Sequence, residues 1–194
     1  MTRKKFKHIV GVDEAGRGAL CGPVVAGCVC FQERPPSGIK DSKQLRPKKR
    51  EYLFYKILSS SFYSFGLVGK DRIDEINIFW ATQAAFVKAM DRFLKVTGFK
   101  KKDTLFIIDG PHFKYSDYNT KCVIAADETI KVVSAASILA KVLRDKIMRG
   151  YDRIFAGWNF ARHKGYATQE HRLLIRKQGI SPIHRLSFKL AASK

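Results

Sequence analysis

The stretch that decides the fold is "KHIVGVDEAGRGALCGPVVAGCVCF", Lys7 to Phe31. It opens on a short apolar run, "KHIVGVD", that reads as a strand. The run breaks at two adjacent acids and a glycine-rich turn, then resumes as "GPVVAGCVCF", a second strand. Along the second strand Val24, Ala26, Cys28 and Cys30 share one face, while Val25, Val29 and Phe31 share the other. Both faces are apolar, which predicts a strand buried on both sides, within a sheet covered by helices.

Working outward, "RPKKREYLFYKILSS" predicts a helix with Pro47 in its first turn, and "SFYSFGLVG" a strand. From Asp74 to about Lys95, Ile76, Trp80, Ala84, Val87, Met90 and Leu94 recur at helical spacing. "DTLFIIDG" and "KCVIAAD" read as strands, and "SAASILAKVLRDKIM" as a helix. "TQEHRLLIRKQG" is a helix capped by Thr168 and stopped at Gly179, and "SPIHRLSF" reads as the start of another. Strands come first, then helices and strands alternate, then helices alone. The order predicts an α/β fold with a central mixed sheet and a helical C-terminal appendage. Residues 1–150 read as the core and 151–194 as a basic subdomain packed into the same compact unit.

The 194 residues carry 37 Lys+Arg against 17 Asp+Glu, a formal charge of +20. Such a field attracts polyanions, most simply nucleic acid. From Ala161 onward Glu170 is the one acid in a strongly basic segment, suited to clamp a phosphate backbone. No segment has the ~20 apolar residues of a membrane span, and the basic N-terminus lacks a signal-peptide core. Cys21, Cys28, Cys30 and Cys122 form no CxxC pair, and no histidine set completes a zinc site around them. They read as small buried hydrophobes in a reducing cytoplasm.

Four acids stand out by position. Asp13 and Glu14 follow "HIVGV", Asp109 follows "TLFII", and Asp127 follows "CVIAA". Strand ends in α/β sheets are where ligands bind, so neighbouring strands would bring these carboxylates to one edge. Gathered carboxylates repel one another unless cations neutralise them, and Mg²⁺ or Mn²⁺ with oxygen ligands answers that need. Two such ions ~4 Å apart would clamp a phosphodiester. Taken singly, an Asp at a strand end more often starts a turn. Adjacent strand residues point to opposite faces, so Asp13 and Glu14 share a site only if the strand ends or bends there.

At this point a family resemblance is visible. "GVDEAGRGALCGPVVAG", "DSKQLRPKKRE", "IDEINIFWAT", "IIDG", "AADETIKVVSAASILAKVLRD" and "HKGYATQEH…SPIHRLSF" together resemble bacterial ribonuclease HII, in family order from Gly11 to Phe188. The resemblance implies an RNase H-like fold: a five-stranded mixed sheet flanked by helices, with a helical C-terminal part. It implies cleavage of RNA in RNA–DNA hybrids, and incision 5′ to a single ribonucleotide embedded in duplex DNA, leaving 3′-hydroxyl and 5′-phosphate ends. By motif the four metal-binding catalytic acids fall on Asp13, Glu14, Asp109 and Asp127, and the junction-sensing elements on Gly16, Arg17, Gly18 and Tyr166. Glycines let a backbone approach a sugar closely enough to bond a 2′-hydroxyl, and a tyrosine ring can stack under the next sugar. The plain alternatives are a tight turn for Gly16 and Gly18 and a core aromatic for Tyr166. This chain departs from the family pattern at Ala19, usually Pro, at Cys21, usually Ala, and at Ala125, usually basic.

Further substrate contacts follow by resemblance or by pattern. Lys43 resembles a lysine near the scissile phosphate, and Asn77 a residue that holds the nucleic-acid backbone, against local helix-end bonding. Ser134, Ser137 and Lys141 form one helical stripe whose hydroxyls and ammonium suit phosphate oxygens. Ser134 as a helix cap is an equal reading. Asp145 is expected to pair with Arg144 or a nearby base. His163 is the tempting acid–base group, yet a metal site needs no histidine. His8, His112, His171 and His184 carry no readable role. The expected partners are RNA–DNA hybrid and ribonucleotide-containing DNA, met by a monomer away from membranes. Ribonuclease HIII, which usually carries an extra N-terminal domain, is disfavoured by the short stretch ahead of Asp13. A non-catalytic binding protein is disfavoured because carboxylates near phosphates repel without a metal.

Overall fold

The computed structural model describes residues 6–40 and 42–190. The chain runs β1 (His8–Ala15), β2 (Val24–Phe31), a 3-10 turn (Ser42–Gln44), α1 (Pro47–Ser60), β3 (Ser61–Val68) and α2 (Lys70–Thr97). It continues through β4 (Thr104–Asp109), β5 (Thr120–Val123), α3 (Ala126–Thr129), α4 (Lys131–Ile154), α5 (Phe160–His163) and α6 (Gln169–Gln178). The five strands order as β3-β2-β1-β4-β5. β2 pairs antiparallel with β1 and β3, while β4 pairs parallel with β1 and β5 with β4. This is the mixed, five-stranded sheet that the sequence implied.

Val24 to Cys30 are all buried, because a helix covers each side of β2. On one face Val10, Val12, Ala26, Cys28, Phe106 and Ile108 pack against Phe86, Met90 and Phe93 of α2. On the other, Val29 meets Leu53 and Ile57 of α1 and Ala136 and Leu139 of α4. A third cluster joins Leu20 and Cys21 to Met148, Trp158, Phe160, Ile175 and Ile183, seating the C-terminal helices on α4 and on the β1–β2 connection. Residues 191–194 of the expected appendage lie outside the described residues.

Gly11 fixes the spacing between sheet and helix. A Cβ there would stand 2.2 Å from the Val132 carbonyl carbon, so the corner between α3 and α4 rests directly on the β1 backbone. Three local expectations need correction. The "CVIAAD" strand ends at Val123, because Ala125 takes a left-handed conformation (φ 54°) and Asp127 enters the short helix α3. The helix expected from Asp74 begins at Lys70 and is broken at Asn77, whose φ is 64°. "SPIHRLSF" forms turns instead of a helix, since the Ser181 amide donates to His184 Nδ1 at 2.8 Å and Arg185 Nε reaches back to the Gly22 carbonyl at 3.0 Å.

Candidate active site

Asp13, two residues before the end of β1, and Asp109, the last residue of β4, lie on neighbouring parallel strands. The register pairs Val12 with Ile108, which sets the two acids level, and both lie on the α4 side of the sheet. Asp127 reaches the same place from the first turn of α3. Carboxylate oxygens of Asp13, Asp109 and Asp127 lie within 4.8 Å of one another. Glu14 is not in that trio. β1 runs on through Ala15, so Glu14 turns to the opposite side of the strand, lines the same cavity and pairs with Arg17 at 3.5 Å.

The protein holds this pocket open with short bonds. Asp109 Oδ1 accepts the Ala126 amide at 2.7 Å, and Asp13 Oδ1 accepts the Glu14 amide at 2.7 Å. Ser137, on α4, bonds Asp13, and its hydroxyl also meets that of Ser42 at 2.8 Å. Lys43 Nζ approaches Asp127 Oδ2 at 3.3 Å. Burial pushes the Asp13 carboxyl well above the usual carboxylate range, and the charges of Glu14 and Asp109 add to it; Ser137 and the Glu14 amide pull the other way. Burial likewise raises Glu14 against the opposing Arg17, and raises Asp109 against the Ala126 amide. Asp13 and Asp127 are 4% and 2% exposed, so water screens them little. Three oxygen donors at this separation, with raised affinity for positive charge, fit a hard divalent cation.

Asp13, Glu14 and Asp109 open on a cavity of about 480 Å³ whose wall also includes Gly16, Arg17, Ser42, Lys43, Lys141 and Tyr166. A larger groove, about 660 Å³, runs along β3 beside Tyr63, Leu67, Lys88 and Arg92, but it holds no acid, so volume alone does not pick the site.

The two glycines of "GRG" differ. Gly16 is buried at φ 100°, with Arg144 Nε 2.1 Å from where a Cβ would sit, so the turn itself requires glycine. Gly18 is exposed, has no atom within 4 Å of that position, and leaves its backbone open to an approaching ligand. Ala19 pairs with Tyr166 in an isolated bridge, and its amide donates to the Gly16 carbonyl at 3.4 Å, a bond a proline would lack. The Tyr166 ring lies over the Arg144 guanidinium at 5.1 Å and the Lys141 ammonium at 4.9 Å.

Other expected contacts fall elsewhere. Ser134 is buried, and its hydroxyl donates to the Asp127 carbonyl at 2.6 Å and the Ile130 carbonyl at 3.2 Å. It ties α3 to α4 and has no hydroxyl turned outward for a phosphate; nor is it the cap, a position held by Ile130. Asn77 lies outside the cavity lining, and its Oδ1 accepts the amides of Phe79 and Trp80, restarting α2 after its break. Asp145 does pair with nearby bases, Lys141 at 2.8 Å and Arg50 at 3.6 Å, the second of the two partners expected for it. Arg144 is fully buried and donates to the carbonyls of Pro23, Cys21 and Lys164. His163 is buried away from the acids, bonded to the Trp158 carbonyl. Missed altogether were Ser42, Arg144 and Arg185, and the meeting of Cys21 with His171 and His184. "DSK" carried a hint of Ser42; an arginine on an amphipathic helix or a lone histidine carries none.

The chain matches the family described as Ribonuclease HII over residues 10–191. It is 43% identical over 189 residues to the Ribonuclease HII of Thermotoga maritima, covering 97% of this chain and 76% of that one.

The chain belongs to the ribonuclease HII family.

Solved structures agree on the fold. The RNase HII in a PCNA complex from Archaeoglobus fulgidus superposes with a TM-score of 0.78 at 22% identity, covering 96% of this chain and 98% of that one. Bst-RNase HIII in complex with Mn²⁺ superposes with a TM-score of 0.70 at 18% identity, covering 97% and 69%.

Proposed function

We propose that this chain, a ribonuclease H enzyme by family, hydrolyses the RNA strand of RNA–DNA hybrids and incises duplex DNA 5′ to a single embedded ribonucleotide. The products would carry 3′-hydroxyl and 5′-phosphate ends. The observation that carries this reading is the convergence of Asp13, Asp109 and Asp127 within 4.8 Å, at a cavity that Asp13 and Asp109 line together with Gly16, Arg17 and Tyr166.

A divalent cation, Mg²⁺ or Mn²⁺, held by these acids with Glu14 beside them, would supply Lewis acidity toward the phosphodiester and make water a better nucleophile. The chain's own groups do the rest. Ser137 and the Ala126 amide fix the Asp13 and Asp109 carboxylates, so the oxygens need no rearrangement when substrate arrives. Lys43, Lys141 and Arg17 line the cavity with positive charge suited to phosphate oxygens. The open backbone at Gly18 suits hydrogen bonding to a 2′-hydroxyl, and the Tyr166 ring suits stacking on the neighbouring sugar. All these residues lie in one chain, so a monomer completes the site. No helix among the described residues is long and apolar enough to cross a membrane, and free Cys21, Cys28, Cys30 and Cys122 suit a reducing cytoplasm.

Incision mapping on a duplex with one ribonucleotide, with and without divalent metal, tests the proposal. Metal-dependent incision at that single site supports it. Cleavage confined to longer RNA tracts would favour the specificity of ribonuclease HIII. Binding with no cleavage under any metal would leave a nucleic-acid-binding module.

A further inference from the structure

Three histidines that the proposed chemistry does not use are gathered under Tyr166. His163, His171 and His184 are 6%, 0% and 1% exposed. The rings of His163 and His171 stack at 4.1 Å between centroids. Their hydrogen bonds leave one consistent assignment of protons. The Ser181 amide donates to His184 Nδ1 at 2.8 Å, so that nitrogen carries no hydrogen and Nε2 must. His184 Nε2 then donates to His171 Nε2 at 3.0 Å. His171 is thereby left with its hydrogen on Nδ1, which donates to the Tyr166 carbonyl at 2.9 Å. His163 is fixed in the same way: Nδ1 accepts the Gly165 amide at 3.1 Å and Nε2 donates to the Trp158 carbonyl at 2.8 Å. Burial holds all three below their ordinary value, with His171 and His184 at about 4, so they are neutral at pH 7.

The relay ends on the Tyr166 carbonyl, beside the 19–22 segment that follows "GRG". Leu20 N donates to the Gly165 carbonyl at 2.8 Å, Gly22 N to Ile183 at 2.9 Å, and Arg185 N to Leu20 at 2.9 Å. Cys21 pairs with His184 as an isolated bridge. The 19–22 segment is thus a plank between the Tyr166 turn on one side and the 183–185 turn on the other, and the imidazole chain ties those two turns together.

We infer that His171 and His184 are positioning residues for Tyr166, a directed chain of neutral imidazoles that fixes the Tyr166 backbone and so sets where its ring stands in the cavity. The selectivity consequence rests on the proposed role of Tyr166 at the ribose–deoxyribose junction; the positioning itself does not. Cys21 Sγ also lies within 4.8 Å of the two imidazole nitrogens, a spacing that would suit a metal. The electrostatics oppose one: Arg144 and Arg185 bring positive charge to Cys21, and burial pushes its thiol up to about 12. The nitrogens that would bind a metal are already spent on each other.

The unaltered protein gives the first test. With only 5 histidines, long-range proton–nitrogen spectra at neutral pH resolve each tautomer. The inference requires His171 with its hydrogen on Nδ1 and His184 with its hydrogen on Nε2; the reverse assignment, or a charged ring, overturns it. Added Co²⁺ should produce no thiolate absorption band; a band would make this a metal site instead. Variants give the second test. His171→Asn keeps an N–H near the place of Nδ1, whereas His171→Phe keeps a ring and loses the donor. The Tyr166 ring signal, assigned by its loss in Tyr166→Ala, should move in His171→Phe and stay in His171→Asn. The ratio of incision at one ribonucleotide to cleavage of an RNA tract should fall on the order of tenfold in His171→Phe, as for a catalytic group displaced by a fraction of an ångström. It should not fall further when Tyr166→Ala is added. An unmoved ring signal with both cleavages reduced in parallel overturns the inference. If Tyr166→Ala alone leaves the ratio unchanged, the junction role of Tyr166 fails, while the ring signal still decides positioning. Should His171→Phe not fold, the tautomer spectra decide.

Discussion

Two buried ionisable clusters lie on either side of the "GRG" turn, and they behave oppositely. The acids Asp13, Asp109 and Asp127 have few donors: amides at Glu14, Ala126 and Asp127, the Ser137 hydroxyl, and Lys43. That is too little for three carboxylates, so the site calls for an outside cation. The bases Arg144, His163, His171 and His184 close on themselves. Arg144 finds three carbonyls, and the histidines find carbonyls, amides and one another. Burial of ionisable groups alone therefore does not mark a site; the unmet need for a partner does.

The largest difference between the clusters is expected on the acid side. Asp109→Asn should cut cleavage roughly a thousandfold or more while duplex binding survives, because the amide oxygen can still accept the Ala126 N–H but a ligand charge is gone. Gel-shift and cleavage assays on one preparation check this. In metal-free buffer the same variant should melt roughly 2–4 °C higher, since a repulsive charge has been removed. A metal-free variant that melts lower would show the acids already balanced from within.

On the basic side, Arg144→Met should destabilise by on the order of 3 kcal/mol in denaturant titrations, leaving buried carbonyls of Pro23, Cys21 and Lys164 without donors. Added Mn²⁺ or Mg²⁺ should not restore it. For the unaltered protein, either ion at a hundredfold over its dissociation constant should add about 2.7 kcal/mol, and far less in Asp109→Asn.

The two clusters also pull stability in opposite directions with pH. Asp13, Glu14 and Asp109 have folded values above their ordinary ones, so their contribution is present at low pH and is lost as pH rises through the raised values. His171 and His184 are depressed to about 4, so theirs is complete above 6.5 and is lost as pH falls toward 4. Melting curves in chelator from about pH 4 to about pH 7 should therefore steepen on the acid side in Asp109→Asn, which removes one opposing carboxylate. The smallest expected contrast lies along α4. Ser134→Ala should cost about 1 kcal/mol of stability and leave the salt dependence of duplex binding unaltered. Lys141→Ala should weaken binding across all sequences and lower the salt slope by about one ion.

Much of this could be read from the chain in advance. Apolar strands running into an acid located Asp13 and Asp109, because strand alternation and sheet edges obey local rules; Asp127 follows the same pattern in sequence but reaches the trio from the short helix α3, beyond the end of its strand. By sequence Glu14 shares the site with Asp13 only if the strand ends or bends between them, and β1 does neither before Ala15, so Glu14 falls on the opposite side. Ser134 looked like Ser137 because both share a helical stripe. They part only because the α3 corner comes within reach of one hydroxyl and β1 of the other. The histidine relay left no trace, since its members stand far apart in sequence and each bond depends on how two turns meet across a third.

Gly11 lies at the foundation of the pocket. The main chain of Val132 occupies the room a methyl would take, so strand and corner touch backbone to backbone, and Asp127 hangs from that corner. Enlarging this residue would leave every acid in the sequence yet pry the third one away from the other two. In an inventory of harmful alleles, an innocuous-looking alanine in the middle of a hydrophobic strand would then rank beside loss of a catalytic carboxylate.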